Sequence, residues 1–291
     1  MAPVPISPDR LGDHLPRNGL VWWHACSGDS GLLAQGIAQA GPLPGLRFTG
    51  IFVPGLNRMA PLLDSGAGVT TFFLLPELAR RPEQVEFLPL CYRDIRAFFA
   101  AHPPAAALVM LAPPDEHGLC NFGPVHDFLA DMWQRIPTLI AHINPALPRT
   151  HGTPGIPWNR LTAVVQAPQP LVESDPGSDP VSEAIARQAA GVIPHGATLQ
   201  AGLGRAPEAV LRGLTGHRNL AIHSGLIGDS ALDLLLAGAL RPGPGAITAG
   251  VAIGTRRLYD ALSDPAFRFA PPSVTHDLRH LASLDRFVTV N

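Results

Sequence analysis

One β-α-β construction is begun twice along this chain, and that repeat restricts the fold to open α/β sheets built in two copies. The first copy runs Gly19-Leu-Val-Trp-Trp-His24, a Ser27-Gly28-Asp29 turn, an apolar-periodic run over 32–40 and an apolar run over 46–53. The second runs Gly196-Ala-Thr-Leu-Gln-Ala201, a Gly202-Leu-Gly204 turn, a periodic run over 207–214 and an apolar run over 219–223. Glycine, β-rich run, small-residue turn, helix and β-rich run together make the sequence form of a β-α-β unit. Later segments match too: 87–90 and 94–99 correspond to 267–270 and 277–281, and 107–112 to 286–290. The first copy continues well past that strand, whereas the second stops one residue after it, at Asn291. The expectation is one complete α/β domain plus an incomplete second copy.

Strands are expected at 20–25, 47–53, 68–75, 85–91, 106–112, 137–143 and 161–166, alternating with helices at 29–40, 77–81, 93–101 and 125–135. A largely parallel, doubly wound sheet requires that alternation. From 167 to 180 the chain carries Pro168, Pro170, Pro176, Gly177 and Pro180 without periodicity, which marks a linker. The expected domains are therefore 1–167, a linker over 168–180, and 181–291. The last begins with a helix over 181–192 that places Glu183 in its first turn. Strands at 197–202, 219–223, 246–253, 267–270 and 286–290 follow, with helices at 206–214, 229–237, 255–263 and 277–284.

Composition narrows the function. With 46% hydrophobic and 15% charged residues and a mean hydropathy of +0.16, the chain is globular and long enough for two cores. A formal charge of −2 without any basic stripe argues against a nucleic-acid partner. No apolar run reaches membrane-span length. All 21 basic residues are arginine. Without lysine there is no Schiff base and no lysine-bearing phosphate loop. Cys26, Cys91 and Cys120 lack CxxC spacing, so neither a disulfide framework nor a zinc site is expected. Residues 1–13 show no signal-peptide pattern, and the expected compartment is the cytoplasm.

Several segments leave strand ends with residues suited to chemistry. Gly202-Leu-Gly204-Arg205-Ala-Pro207 joins a strand to a helix, and its glycines would let backbone N–H groups approach a phosphate or a developing oxyanion. The plain alternative is a tight turn with no ligand. The third glycine of the dinucleotide fingerprint and its acidic ribose partner are missing, which argues against a nicotinamide cofactor. His223-Ser224-Gly225 is expected to follow a strand at its carboxyl end, where open α/β sheets bind ligands, with Asp229 capping the next helix. Strand neighbours face opposite ways, so His223 and Ser224 are not read as a base and its nucleophile. Pro113-Pro-Asp115-Glu116-His117-Gly118 is a rigid turn able to present one carboxylate or imidazole; three adjacent side chains cannot converge on one metal ion. Asn144 opens an irregular polar segment, either the rim of a cleft or a surface loop. Trp22, Trp23 and Trp158 are assigned to a core or an interface.

Residues 196–204, Pro207-Glu-Ala-Val-Leu211, His223-Ser224 with Asp229, Gly254-Thr-Arg-Arg-Leu-Tyr-Asp260 and the 113–118 turn together resemble the acetyl-CoA hydrolase/transferase family, which includes the 4-hydroxybutyrate and acetate CoA-transferases. The resemblance implies two similar α/β domains with the active site between them. It implies transfer of CoA between an acyl-CoA and a small carboxylate in short-chain acid metabolism, with the CoA thioester as substrate and no permanently bound cofactor. It also implies a glutamate that attacks the thioester, giving an acyl-glutamyl anhydride and then a glutamyl-CoA thioester.

That glutamate follows the family's His-Ser pair, at a position held here by Gly225, which supplies no nucleophile. The expected site is then assembled from what remains. Backbone at Gly202 and Gly204 would hold the oxyanion, Ser224 and Asn144 would contact substrate, and His223 to Gly225 would line the acyl pocket. The attacking group would be Glu116, an acid on a partner chain, or water, the last giving hydrolysis. The resemblance places the family's glycine-rich CoA-binding loop beyond Asn291. Three accounts stay open: a truncated gene, one subunit of a split enzyme, or a member adapted to another role. Expected partners are a second copy of the chain or a polypeptide completing the second domain. The rival reading is a non-catalytic binding or scaffold subunit.

Overall fold

The computed structural model describes residues 2–291, which divide into two compact units. The first takes in residues up to Gly123, Phe128–Leu147 and Pro154–Val172; the second takes in Pro124–Asp127, Pro148–Thr153 and Glu173–Asn291.

Chain order runs β1 (Val4–Pro5), β2 (Gly19–Trp23), α1 (Gly31–Gln39), β3 (Leu46–Thr49), α2 (Ala60–Asp64), β4 (Gly68–Thr71), α3 (Pro76–Ala79), β5 (Val85–Phe87), α4 (Tyr92–Ala101) and β6 (Ala106–Leu111). It continues with β7 (Leu119–Cys120), α5 (Phe128–Met132), β8 (Thr138–Ile143), β9 (His151–Gly152), β10 (Ile156–Pro157) and β11 (Ala163–Gln166). Apart from β9, all of these belong to the first unit. Its main sheet is parallel throughout, in the order β1-β11-β8-β6-β2-β3-β4-β5. Every residue of β6 is buried, as a strand covered on both faces demands, which is why its sequence is apolar without alternation. Trp22 packs edge-on against Phe99 of α4 at 5.3 Å, and Trp23 packs edge-on against Phe48 at 6.2 Å. Both tryptophans are core residues, as expected.

The second unit adds α6 (Pro180–Val192), β12 (Thr198–Ala201), α7 (Arg205–Gly213), β13 (Ala221–Ile227), α8 (Asp229–Leu236), β14 (Ile247–Ala252), α9 (Arg256–Ala261), β15 (Phe267–Phe269), α10 (Pro272–Thr275), α11 (Leu278–Ser283) and β16 (Phe287–Val290). Its sheet is also parallel, in the order β16-β12-β13-β14-β15-β9. The stretch β16-β12-β13-β14-β15 repeats β6-β2-β3-β4-β5 strand for strand, so the doubled construction read in the sequence is present in the fold. In each copy the chain crosses back over its first strand to add the last one. The switch point between β2 and β6 therefore recurs between β12 and β16. Beyond β6 the first sheet continues with β8, β11 and β1, whereas β16 is a sheet edge.

Three boundaries differ from expectation. The helix expected over 125–135 is reduced to α5, because Pro124–Asp127 leaves for the second unit, where Val125 bridges Val251 and His126 N–H donates to Gly250 O at 2.8 Å. Pro148–Thr153 likewise joins the second unit, because β9 pairs with β15 and covers what would otherwise be an open strand edge. The stretch 167–180 lacks helix and strand before α6, but it is divided between the units: its first part is stitched to the first unit through Gln169, and the change of unit falls after Val172.

Candidate functional site

β13 lies between β12 and β14 in the second sheet, and the residues singled out after the expected strand end at 223 are part of it. Ser224, Leu226 and Ile227 stay in register with Ala249, Val251 and Ala252 of β14. The presumed strand-to-helix turn is thus sheet. Pleating places His223 and Gly225 on one face and Ser224 on the other.

Residues 271–280 cover the His223–Gly225 face. Nε2 of His223 lies 3.3 Å from Val274 O, and its ring centre lies 4.7 Å from that of His280. The His276 ring rests on the backbone of Gly225. A Cβ built there would run into its Cε1 and stand 2.5 Å from its Nε2, so only glycine lets the ring approach this closely. Nδ1 of His276 is 2.9 Å from the Thr275 hydroxyl, which itself donates to Pro271 O at 3.4 Å. Burial, reinforced by neighbouring His223, pushes His276 down to about 4, so its ring is neutral near pH 7. His223 is lowered as well, first by burial and then by His280. Among the described residues no group of three or more His, Cys, Asp or Glu side chains is placed to hold a metal ion.

On the opposite face Ser224 performs a backbone's task. Its Oγ donates to Ala201 O at 3.0 Å and accepts from Ala201 N at 3.2 Å, tying β12 to β13 beyond the last paired residues, Leu199 and Ile222. The amide of Gly202 donates to Val290 O at 2.8 Å, and a Cβ on Gly202 would run into the Asn291 side chain. That bond occupies the Gly202 N–H and holds β12 to β16. Gly204 turns the chain into α7 with φ at +134°. Glu208 of α7 is buried, which raises its pKa, and its Oε2 accepts from Ser230 N at 3.2 Å at the start of α8. Asp229 does not cap its own helix, as expected of it. It accepts from both Thr255 N and Thr255 Oγ1 at 2.7 Å and so holds the residue that precedes α9. Glu208 takes over at α8.

Glu116 and Asn144 lie in the first unit. The Glu116 side chain is 86% exposed, with His117 Nε2 at 3.7 Å, on a turn held by Asp115 Oδ1 accepting from His117 N and Leu119 N. Asn144 is fully buried, neither rim nor surface loop. Its Nδ2 donates to Gln169 O at 2.7 Å, and its Oδ1 accepts from Gln169 N and Ala146 N, both at 3.0 Å. The structure thus groups His223 and Gly225 on one face and assigns Asn144 and Ser224 to internal bonding. It adds His276, Thr275 and Glu208, which sequence reasoning did not single out. The available signal was Thr275-His276 directly ahead of Asp277, the residue that caps α11 through His280 N at 2.9 Å.

No family model matches the chain. Over 189 residues it is 32% identical to the 4-hydroxybutyrate coenzyme A transferase of Clostridium kluyveri, a match covering 62% of this chain and 44% of that protein. The structure of RipA from Yersinia pestis matches with a TM-score of 0.87 at 20% identity, over 99% of this chain and 73% of that one. A 4-hydroxybutyrate CoA-transferase from Porphyromonas gingivalis matches with a TM-score of 0.78 at 23% identity, over 99% and 72%. These structural likenesses establish the fold. The chain spans less than half the length of the curated relatives it matches, all of which are CoA-transferases.

Proposed function

We propose that this chain, a homologue of the CoA-transferases, acts on short acyl-CoA thioesters at the Gly225 face of β13, and that it releases CoA by hydrolysis instead of carrying it on a glutamate. The curated relatives support the acyl-CoA substrate. The observation that carries the hydrolytic reading is the exchange at position 225. Where the resemblance puts the attacking carboxylate there is a bare Cα, and the space above it is filled by a neutral imidazole. An imidazole in place of a carboxylate favours proton transfer to and from water over formation of a mixed anhydride. Glu116, the alternative acid on this chain, is a solvated side chain on an exposed turn. No helix among the described residues is long and apolar enough to cross a membrane, and we place the reaction in the cytoplasm, on substrates dissolved there.

Release of free thiol from acetyl-CoA and butyryl-CoA tests this, with and without added acetate or succinate. The expected result is thiol release at the same rate in both cases. Transfer of CoA onto a labelled carboxylate, without net thiol release, would mean that the transferase chemistry survives. Saturable binding of acyl-CoA with neither outcome would favour the scaffold reading.

A further inference from the structure

We propose that the first unit carries a binding groove for an organic acid, a carboxylate on an apolar body. The groove lies between α4 and the helical segment that α5 begins and the turn over Trp133–Arg135 completes. It does not depend on the reaction placed at Gly225.

Two matching stripes form its walls. Arg93, Arg96, Ala97 and Ala100 recur on α4 at the i, i+3, i+4, i+7 spacing that puts side chains on one helix face. Phe128, Asp131, Met132 and Arg135 repeat that spacing on the other wall. The cavity between them has a volume of about 330 Å³, at the small end of the roughly 300–1,000 Å³ of small-molecule sites. Its floor is apolar. Phe99 and Phe128 are buried with ring centres 6.0 Å apart, and the buried Met132 lines the same cavity. An alkyl or aryl body laid on that floor leaves water, which is the favourable part of binding.

The rim is cationic: three lining arginines stand against one lining carboxylate, Asp131. Nε of Arg93 is 3.1 Å from Asp94 and Nε of Arg96 is 3.7 Å from Asp131, exposed pairs that solvent makes weak. Arg135 has no carboxylate partner among the described residues. Its Nη2 donates to Ala100 O at 2.7 Å, at the carbonyl end of α4, which anchors the guanidinium at the groove. A guanidinium presents five N–H donors in a planar fork, so one bond to Ala100 leaves donors for a carboxylate. The rim thus selects an anion, the forks select a planar one, and the floor selects against a fully hydrated inorganic ion.

The test is a titration of the full chain, labelled at its methionine methyl groups, with hexanoate. The Met132 methyl, assigned through Met132→Leu, reports on the groove, while the buried Met59 and Met110 report on folding of the first unit. The expected result is a saturable shift of the Met132 signal. Hexanamide, the same body without the charge, is expected to bind about tenfold more weakly, and inorganic phosphate is expected not to compete. Arg135→Gln keeps a donor for Ala100 O but loses the charge, and should weaken hexanoate about tenfold, as loss of one charge-assisted hydrogen bond does. If Arg135→Gln loses the Met59 and Met110 signals, Arg96→Gln decides the matter in the same way. No saturable shift at Met132, hexanamide binding as well as hexanoate, or hexanoate unweakened in the folded variant would overturn the assignment. Competition by phosphate at equal concentration would reduce the groove to a bare anion site and overturn it too.

Discussion

Gly225→Ala is expected to destabilise the second unit by about 1–3 kcal/mol, the usual cost of forcing extra atoms into a packed site. On backbone grounds alone the change should help, since alanine loses less chain entropy than glycine, an effect of about 0.4–1 kcal/mol. The ring reverses the sign, because the new Cβ would meet Cε1 and Nε2 of His276. Removing the ring should therefore rescue the substitution: Gly225→Ala with His276→Ala is expected to cost less than the two single changes added together. Contacting residues couple in this way by about 0.5–3 kcal/mol. Hydrogen exchange in the peptide covering 221–227 reports on this site. A Gly225→Ala chain as well protected there as the wild type would show that the ring does not sit where it is placed.

The second large effect is a loss of stability in mild acid. His276 has its folded value at about 4, below the ordinary 6.5 of a solvated histidine. Above pH 6.5 the ring is neutral in folded and unfolded chains alike and contributes nothing to the pH dependence. As the pH falls below 6.5 the unfolded chain takes up a proton that the folded chain refuses until about 4. Stability therefore falls across that window, by about 2 kcal/mol at pH 5 relative to pH 7 from this residue alone. His142 and His223, both lowered mainly by burial, push in the same direction. His276→Gln should be less sensitive between pH 7 and pH 5 by that amount in protection of 221–227. Equal pH sensitivity in the two proteins would remove His276 as the cause.

The architecture was largely legible because a parallel sheet covered on both faces advertises itself. Runs such as 106–111 and 138–143 are short, apolar and free of alternation, and the repeated order of turns and helices survives in both copies. The site was legible only in part, and the failures share a cause. Gly225 and Gly228 look like strand terminators, yet β13 runs through to Ile227, because β14 continues to pair with it and because Gly225 is needed beneath a ring. Asp229 stands where an N-cap belongs, but its partner is Thr255, distant in sequence, and Glu208 from α7 fills the place instead. Asn144 sits in a polar, irregular segment and is nevertheless buried, because Gln169 returns to bond it. Local pattern encodes the elements; these contacts depend on which elements the sheet order brings together, and His276 meets Gly225 only through that order.

We propose that acyl-CoA is handled at Gly225 without a covalent protein carboxylate. The most direct measurement is the intact mass of the chain after incubation with acetyl-CoA and trapping with borohydride or hydroxylamine, followed by peptide mapping. The expected result is an unmodified chain while free CoA accumulates in solution. A trapped adduct on any residue from 223 to 229 would contradict it.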